Sequence, residues 1–242
     1  QLRLNEWVKQ TTRWMPMEAW DKCAFAINEE ELIGRECFAG LDLSSSTDIT
    51  AFVLVFPPRN DDEKYIVLPY FWIPEDTISQ RVARDHVPYD VWQAKGSIMT
   101  TEGNVIHYGF IENFIDELGK KYNIKEIAYD RWGAVQMSQN LEGMGFTVVP
   151  FGQGFRDMSP PTKELYKLTL ENRIAHGGNP VLRWMMDNVY VKTDPAGNIK
   201  MDKEKSTERI DGAVALVMAL DRTIRNSNIA GSVYDDRGLL IL

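Results

Sequence analysis

Cys37-Phe38-Ala39-Gly40-Leu41-Asp42-Leu43 is an apolar run of strand length with one carboxylate inside it. Strand alternation puts Phe38, Gly40 and Asp42 on one face and Ala39, Leu41 and Leu43 on the other. A buried carboxylate is costly unless it is paired or binds a metal. Two more aspartates sit in comparable places. Asp130 ends the strand-like run 124–129, and Asp211 opens the helix-like run Ile210-Asp211-Gly212-Ala213-Val214-Ala215-Leu216. Each has an ordinary explanation on its own: an edge strand, a helix N-cap, an acid favoured by a helix dipole. Three together, at the ends of different elements, point to one shared cationic partner.

The rest of the chain supplies an order for these elements. Strands are expected at 36–44, 50–56 and 65–73, joined by short turns as an antiparallel meander. The first turn is Ser44-Ser45-Ser46-Thr47-Asp48, and the second strand stops at Pro57-Pro58. A helix over 74–95, interrupted at Pro88, follows. Next come a short strand at 105–108, an amphipathic helix at 111–122, a strand at 124–129, a helix at 132–144 and a strand at 146–150. Ser159-Pro160-Pro161-Thr162 launches a helix to about 174, which His176-Gly177-Gly178-Asn179-Pro180 breaks. A helix at 181–188 leads to a hairpin, 189–193 with 199–201, around Asp194-Pro195-Ala196-Gly197-Asn198. The last helix covers 208–225.

That order is the order of a ribonuclease H-like α/β fold: a mixed sheet of three antiparallel strands then parallel strands, flanked by helices, with a hairpin added before the last helix. It places the strand 36–44 beside the strand 124–129, so their ends meet the final helix. Asp42, Asp130 and Asp211 are then drawn together. Carboxylates suit Mg²⁺ and Mn²⁺, which prefer oxygen ligands. Two such ions, about 3.5–4 Å apart, activate water and stabilise the leaving oxygen in phosphodiester hydrolysis. Asp42, on a central strand, is the natural bridging ligand. Asp48 is a candidate fourth carboxylate, although a turn aspartate ordinarily bonds its own backbone. His107 and His176 have no partner at ligand spacing and read as structural.

Composition sets the limits. With 242 residues the chain is long enough for one large domain, and 44% hydrophobic with 26% charged is ordinary for a globular protein. No apolar run approaches the roughly 20 residues of a membrane span, and Cys23 and Cys37 make no disulfide framework, so a reducing cytosol is expected. The net charge of −8 argues against a general nucleic-acid binder, but residues 151–210 carry ten Lys/Arg against eight Asp/Glu. That side supplies the candidate phosphate contacts: Lys163, Lys167, Arg173, Lys203, Lys205 and Arg209.

Four blocks carry a family resemblance. They are Phe38-Ala39-Gly40-Leu41-Asp42-Leu43-Ser44-Ser45-Ser46-Thr47-Asp48-Ile49-Thr50-Ala51, Met158-Ser159-Pro160-Pro161-Thr162-Lys163-Glu164-Leu165, His176-Gly177-Gly178-Asn179-Pro180-Val181-Leu182-Arg183-Trp184 and Lys205-Ser206-Thr207-Glu208-Arg209-Ile210-Asp211-Gly212-Ala213-Val214-Ala215-Leu216. In this order they resemble the nuclease domain of the large terminase subunit of tailed double-stranded DNA phages and prophages. The resemblance implies a metal-dependent endonuclease that cuts concatemeric viral DNA during packaging, in the host cytoplasm and away from any membrane. It matches the family's three metal-binding acids to Asp42, Asp130 and Asp211, with two Mg²⁺ or Mn²⁺ ions. In a full-length protein the partners implied are an ATPase domain, the small terminase subunit and the portal or procapsid. No Gly-x-x-x-x-Gly-Lys-Ser/Thr loop occurs here, so the chain is expected to cut DNA without translocating it.

On this reading residues 1–30 are an arm from an ATPase domain, 31–226 the nuclease and 227–242 a tail. Three other readings compete. A resolvase or transposase would share the fold. An actin-like ATPase or sugar kinase would use Gly40-Leu41-Asp42-Leu43-Ser44-Ser45-Ser46 as a phosphate hairpin. A non-catalytic packaging module would keep the acids as structure.

Overall fold

A computed structural model describes residues 13–43, 48–131 and 135–230, with the backbone alone for 227–230. The sheet is built outward from β1 (Glu36–Asp42). It pairs antiparallel with β2 (Thr50–Phe56), which pairs antiparallel with β3 (Tyr65–Pro74). The meander is therefore as the sequence implies. β2 is apolar from Ala51 to Phe56 because both its faces are covered. Ala51, Val53 and Val55 enter one core, and Phe52, Leu54 and Phe56 the other.

The region after β3 departs from the sequence reading in detail. The chain forms a short α1 (Met17–Lys22) ahead of the sheet, and α2 (Ile78–Asp85) and α3 (Tyr89–Ala94) after it. His86, at φ 54°, ends α2 in the left-handed region, and Pro88 precedes α3. The next strand is β4 (Met99–Thr101), parallel to the end of β3, and 105–108 is not a strand. The Val105 carbonyl instead accepts from Thr101 Oγ1 at 3.2 Å, closing a local loop.

α4 (Tyr108–Lys121) then returns the chain to β5 (Asn123–Asp130), which lies parallel beside β1 with Leu41 opposite Tyr129. α5 (Val135–Gly143) leads to β6 (Val148–Phe151), parallel to β5. Two-residue β7 (Ile174–Ala175), which had no sequence signal, pairs with the start of β3. The sheet order is β4-β3-β2-β1-β5-β6, with β7 on the outer edge of β3. α4 and α5 cover one face. On the other lie α6 (Phe155–Leu170), α7 (Pro180–Asn188) and α8 (Asp211–Ala230). β8 (Val191–Thr193) and β9 (Ile199–Met201) form the expected hairpin.

α6 starts five residues before Pro160, not at it. Its first turn closes through Met158 N–H to the Gly154 carbonyl at 3.0 Å, so both prolines lie inside the helix. α8 runs five residues past the expected end at 225; residues 231–242 lie outside the described residues, as do 1–12 of the arm. The part of the arm that is described packs on the domain itself. Met15 and Trp20 are buried, Trp20 stacks on His176 with ring centres 4.1 Å apart, and Asp21 pairs with Arg183 at 2.7 Å.

Gly40 sets how closely α8 can approach. A Cβ there would stand 1.9 Å from the Ala215 carbonyl oxygen. Its absence lets the helix lie directly on the middle of β1, which brings the start of α8 against the end of that strand. Asp42 and Asp211 stand at those two ends.

Candidate metal centre

Asp42 and Asp211 are each 3% exposed and share one cation. The Lys203 Nζ lies 2.6 Å from Asp42 Oδ2 and 2.9 Å from Asp211 Oδ1. The lysine comes from the loop between β9 and α8. It donates an aligned hydrogen bond to Asp211, whereas its approach to Asp42 is a charge contact off the hydrogen-bond direction. The other Asp211 oxygen, Oδ2, accepts from the Ile49 N–H at 3.3 Å. Asp130 ends β5, the neighbour of β1, and its Oδ2 accepts from Gln153 Nε2 at 3.0 Å. Asp48 is held by Arg209 at 3.0 Å, and its carbonyl accepts from Arg81 Nη2 at 3.3 Å.

Burial pushes the Asp42 carboxyl up to about 7, with Lys203 opposing the rise and the charges of Asp211 and Asp130 adding to it. Burial also works against the Lys203 charge, but Asp42 and Asp211 outweigh it and hold the ammonium above its ordinary value. The centre is thus an excess of buried negative charge, partly neutralised by an ammonium on a flexible stem.

Its chemistry fits a hard divalent cation in two respects. The donors are carboxylate oxygens, and Asp42 Oδ2 is a buried oxygen with no aligned hydrogen bond. One respect limits the fit. Among the described residues, no three of His, Cys, Asp and Glu are gathered closely enough to hold a metal ion. Lys203 stands between Asp42 and Asp211, and Asp130 is turned to Gln153.

The family model for the terminase large subunit endonuclease domain matches residues 1–227. The chain belongs to that family. It is 37% identical over 238 residues to the large terminase subunit of Enterobacteria phage HK97, across 97% of this chain and 46% of that protein. It is 29% identical over 230 residues to Protein YmfN of Escherichia coli K12, across 91% of this chain and 50% of that protein. The chain therefore spans about half the length of these relatives. The crystal structure of the HK97 large terminase superposes with a TM-score of 0.78, covering 86% of this chain and 43% of that one. The large terminase nuclease of thermophilic phage G20c, at 13% identity, shares the fold with a TM-score of 0.50 over 77% of this chain and 83% of its own. The fold is the ribonuclease H-like mixed sheet of terminase nuclease domains.

Within this terminase domain the basic residues singled out from sequence do not form one face. Lys203 sits at the centre of the acids rather than outside them. Arg209 lines a cleft of about 170 Å³ beside Asp211, together with Asp48, Glu204 and Glu208. Lys205 lies over the Tyr190 ring at 5.7 Å. Lys163 and Lys167 are exposed on α6, the latter 3.9 Å from Glu164. Arg173 is at the far end of the sheet, in a separate cleft of about 840 Å³ with Glu36, Arg59 and Lys125.

Two residues, Gln153 and Arg81, and the place of a third, Lys203, are absent from the sequence reading. Gln153 follows β6, the strand beside β5, and ligand sites of open α/β sheets lie at strand carboxyl ends; that rule alone marks it. Lys203 was singled out for phosphate, and nothing local signals its place between two acids. Arg81, on α2, has no sequence signal at all.

Proposed function

We propose that this chain is an endonuclease that cuts double-stranded viral DNA during genome packaging, hydrolysing phosphodiester bonds with two Mg²⁺ or Mn²⁺ ions. The observation that carries it is the pair of buried carboxylates, Asp42 and Asp211, at adjoining ends of β1 and α8 in a terminase endonuclease chain. When bound, the ions supply an activated water and stabilise the leaving oxygen.

The chain's own residues do the rest. Asp42 and Asp211 would hold the ions, with Asp211 oriented by the Ile49 N–H. Asp130, which accepts from Gln153 here, would be the third ligand. Lys203, which neutralises Asp42 and Asp211 here, would be released by a metal on those carboxylates and would then be available to a DNA phosphate. Asp48 stays with Arg209 at the rim. Lys163, Lys167, Lys205 and Arg209 are proposed contacts to the DNA backbone. The full-length protein would add an ATPase domain ahead of residues 1–30, with the small terminase subunit and the portal or procapsid as partners in the host cytoplasm. Residues 31–230, which end with α8, would be the cutting unit.

The test is nicking of supercoiled plasmid with Mn²⁺. Asp42→Asn is expected to abolish nicking while the protein still melts cooperatively, and chelation is expected to stop it without unfolding. An Asp42→Asn protein that cuts as well as its parent would overturn the two-metal reading. A strict need for a four-way junction would favour a resolvase.

A further inference from the structure

We propose that Arg81 is a positioning residue for the carboxylate centre, acting through the segment Asp48-Ile49; this rests on the endonuclease reading above. Arg81 lies on α2 and is only 2% exposed. Burying a guanidinium is costly unless its donors are used. Its Nε donates to Thr77 Oγ1 at 2.9 Å, and the Thr77 hydroxyl donates to the Pro74 carbonyl at 2.8 Å. Its Nη2 donates to the Asp48 carbonyl at 3.3 Å. The guanidinium thus ties the start of α2 to the exit of the β1–β2 connection.

That exit reaches the acids directly. Asp48 is held a second time, by its side chain, through Arg209 at 3.0 Å. The next residue, Ile49, is fully buried, and its N–H donates to Asp211 Oδ2 at 3.3 Å. One oxygen of Asp211 is therefore aimed by a backbone amide whose position depends on the Arg81 contact. The planar fork of arginine holds its donors in fixed directions toward acceptors on two elements, which a methionine cannot do and a lysine does less rigidly. Partners that orient a ligating carboxylate typically affect metal affinity by about 10- to 100-fold when removed.

The test uses the whole chain with Arg81→Gln and the milder Thr77→Val, which leaves the guanidinium but removes its hydroxyl partner. Mn²⁺ binding is read by calorimetry and plasmid nicking by kcat and KM. Arg81→Gln is expected to weaken Mn²⁺ binding about tenfold, to lower kcat and to leave KM for DNA unchanged. Thr77→Val is expected to shift the same quantities in the same direction by less. A drop in Tm with unchanged Mn²⁺ affinity would make Arg81 merely structural and overturn the proposal. If Arg81→Gln does not fold, Thr77→Val decides, and unaltered Mn²⁺ affinity in it counts against the proposal. A parent protein that neither binds Mn²⁺ nor cuts DNA would sink the endonuclease reading separately. The metal-free comparison of Arg81→Gln, Asp211→Asn and the double variant then still decides. Coupled sites give less-than-additive losses of Tm, and additive losses overturn the coupling.

Discussion

Gly40 of β1 and Ala215 of α8 meet with no room for a methyl group: a Cβ on Gly40 would fall 1.9 Å from the Ala215 carbonyl oxygen and 2.9 Å from the Ala219 nitrogen. Both obstacles are backbone, so neither can rotate away. Gly40→Ala must therefore push α8 off the sheet. Overpacking of a close-packed core costs about 1–3 kcal/mol, occasionally more, and this contact belongs at the upper end. The shift also separates Asp211 from Asp42, so metal binding should fall together with stability. Gly109→Ala is the control, because nothing lies within 4 Å of its Cβ position and it sits in α4. That change should be neutral or stabilising by up to about 1 kcal/mol. Denaturant unfolding of the two variants checks the contrast.

Lys203 gives an opposing pair of effects. Removing its charge leaves Asp42 and Asp211 buried without their shared cation, so metal-free Lys203→Met should melt at a lower temperature. The loss should stay below the ~3–5 kcal/mol of a fully buried broken pair, since the Lys203 side chain is 37% exposed. The same variant no longer has an ammonium for the metal to displace. Its Mn²⁺ affinity and its Tm gain on adding Mn²⁺ should both exceed those of the parent. Weaker Mn²⁺ binding in Lys203→Met would mean that the lysine helps to hold the metal site rather than occupying it. Loss of nicking despite tighter binding is the expected outcome if its ammonium acts on the phosphate.

A pH effect follows from His176, far from the acids. Its Nε2 lies 2.8 Å from the Trp20 carbonyl, and its Nδ1 accepts from the Gly178 N–H at 3.2 Å. That arrangement needs the neutral ring, because a protonated Nδ1 cannot accept. Burial lowers its proton affinity below the ordinary histidine value, with the Trp20 carbonyl and Asp21 opposing. A folded-state value below the unfolded one means that the unfolded chain binds more protons. Stability is then full above the unfolded value, about 6.5, and falls as pH drops through it. The slope should reach at most ~1.4 kcal/mol per pH unit. Thermal melts of the parent and His176→Asn between about pH 5 and pH 7 should converge as pH falls. Parallel curves would show that folding does not shift the His176 value.

These sites differ in how legible they were. The meander, the β1–β5 neighbourhood and the long last helix follow from apolar period and turn residues, which are local signals. The small residues Gly40, Ala215 and Ala219 meet where α8 approaches β1 most closely. The start of α6 was missed because prolines signal a first turn, and here the turn before them closes anyway. β7 is two residues long and exists only by pairing with β3. Lys203 and Arg81 were illegible for a different reason: each acts by reaching across the fold, and no pattern within its own segment records what it touches.

The raised carboxyl of Asp42 makes the last prediction. Its folded-state value of about 7 lies above the unfolded value of 3.8. The native protein therefore binds more protons than the unfolded chain between those limits. This group's contribution to stability is present at low pH and is lost as pH rises through about 7. A divalent ion needs the ionised form, so metal binding at lower pH must expel that proton. Apparent Mn²⁺ affinity should climb with pH and flatten above about 7, with proton release on binding at about pH 6 and little at about pH 8. Calorimetry in buffers of different ionisation enthalpy measures the proton count directly. In Asp42→Asn the position cannot titrate, so the residual affinity should lose this slope. A parent affinity that is flat between about pH 6 and 8 would mean that Asp42 is already ionised in the metal-free protein. Lys203, rather than burial, would then dominate the charge state of the centre.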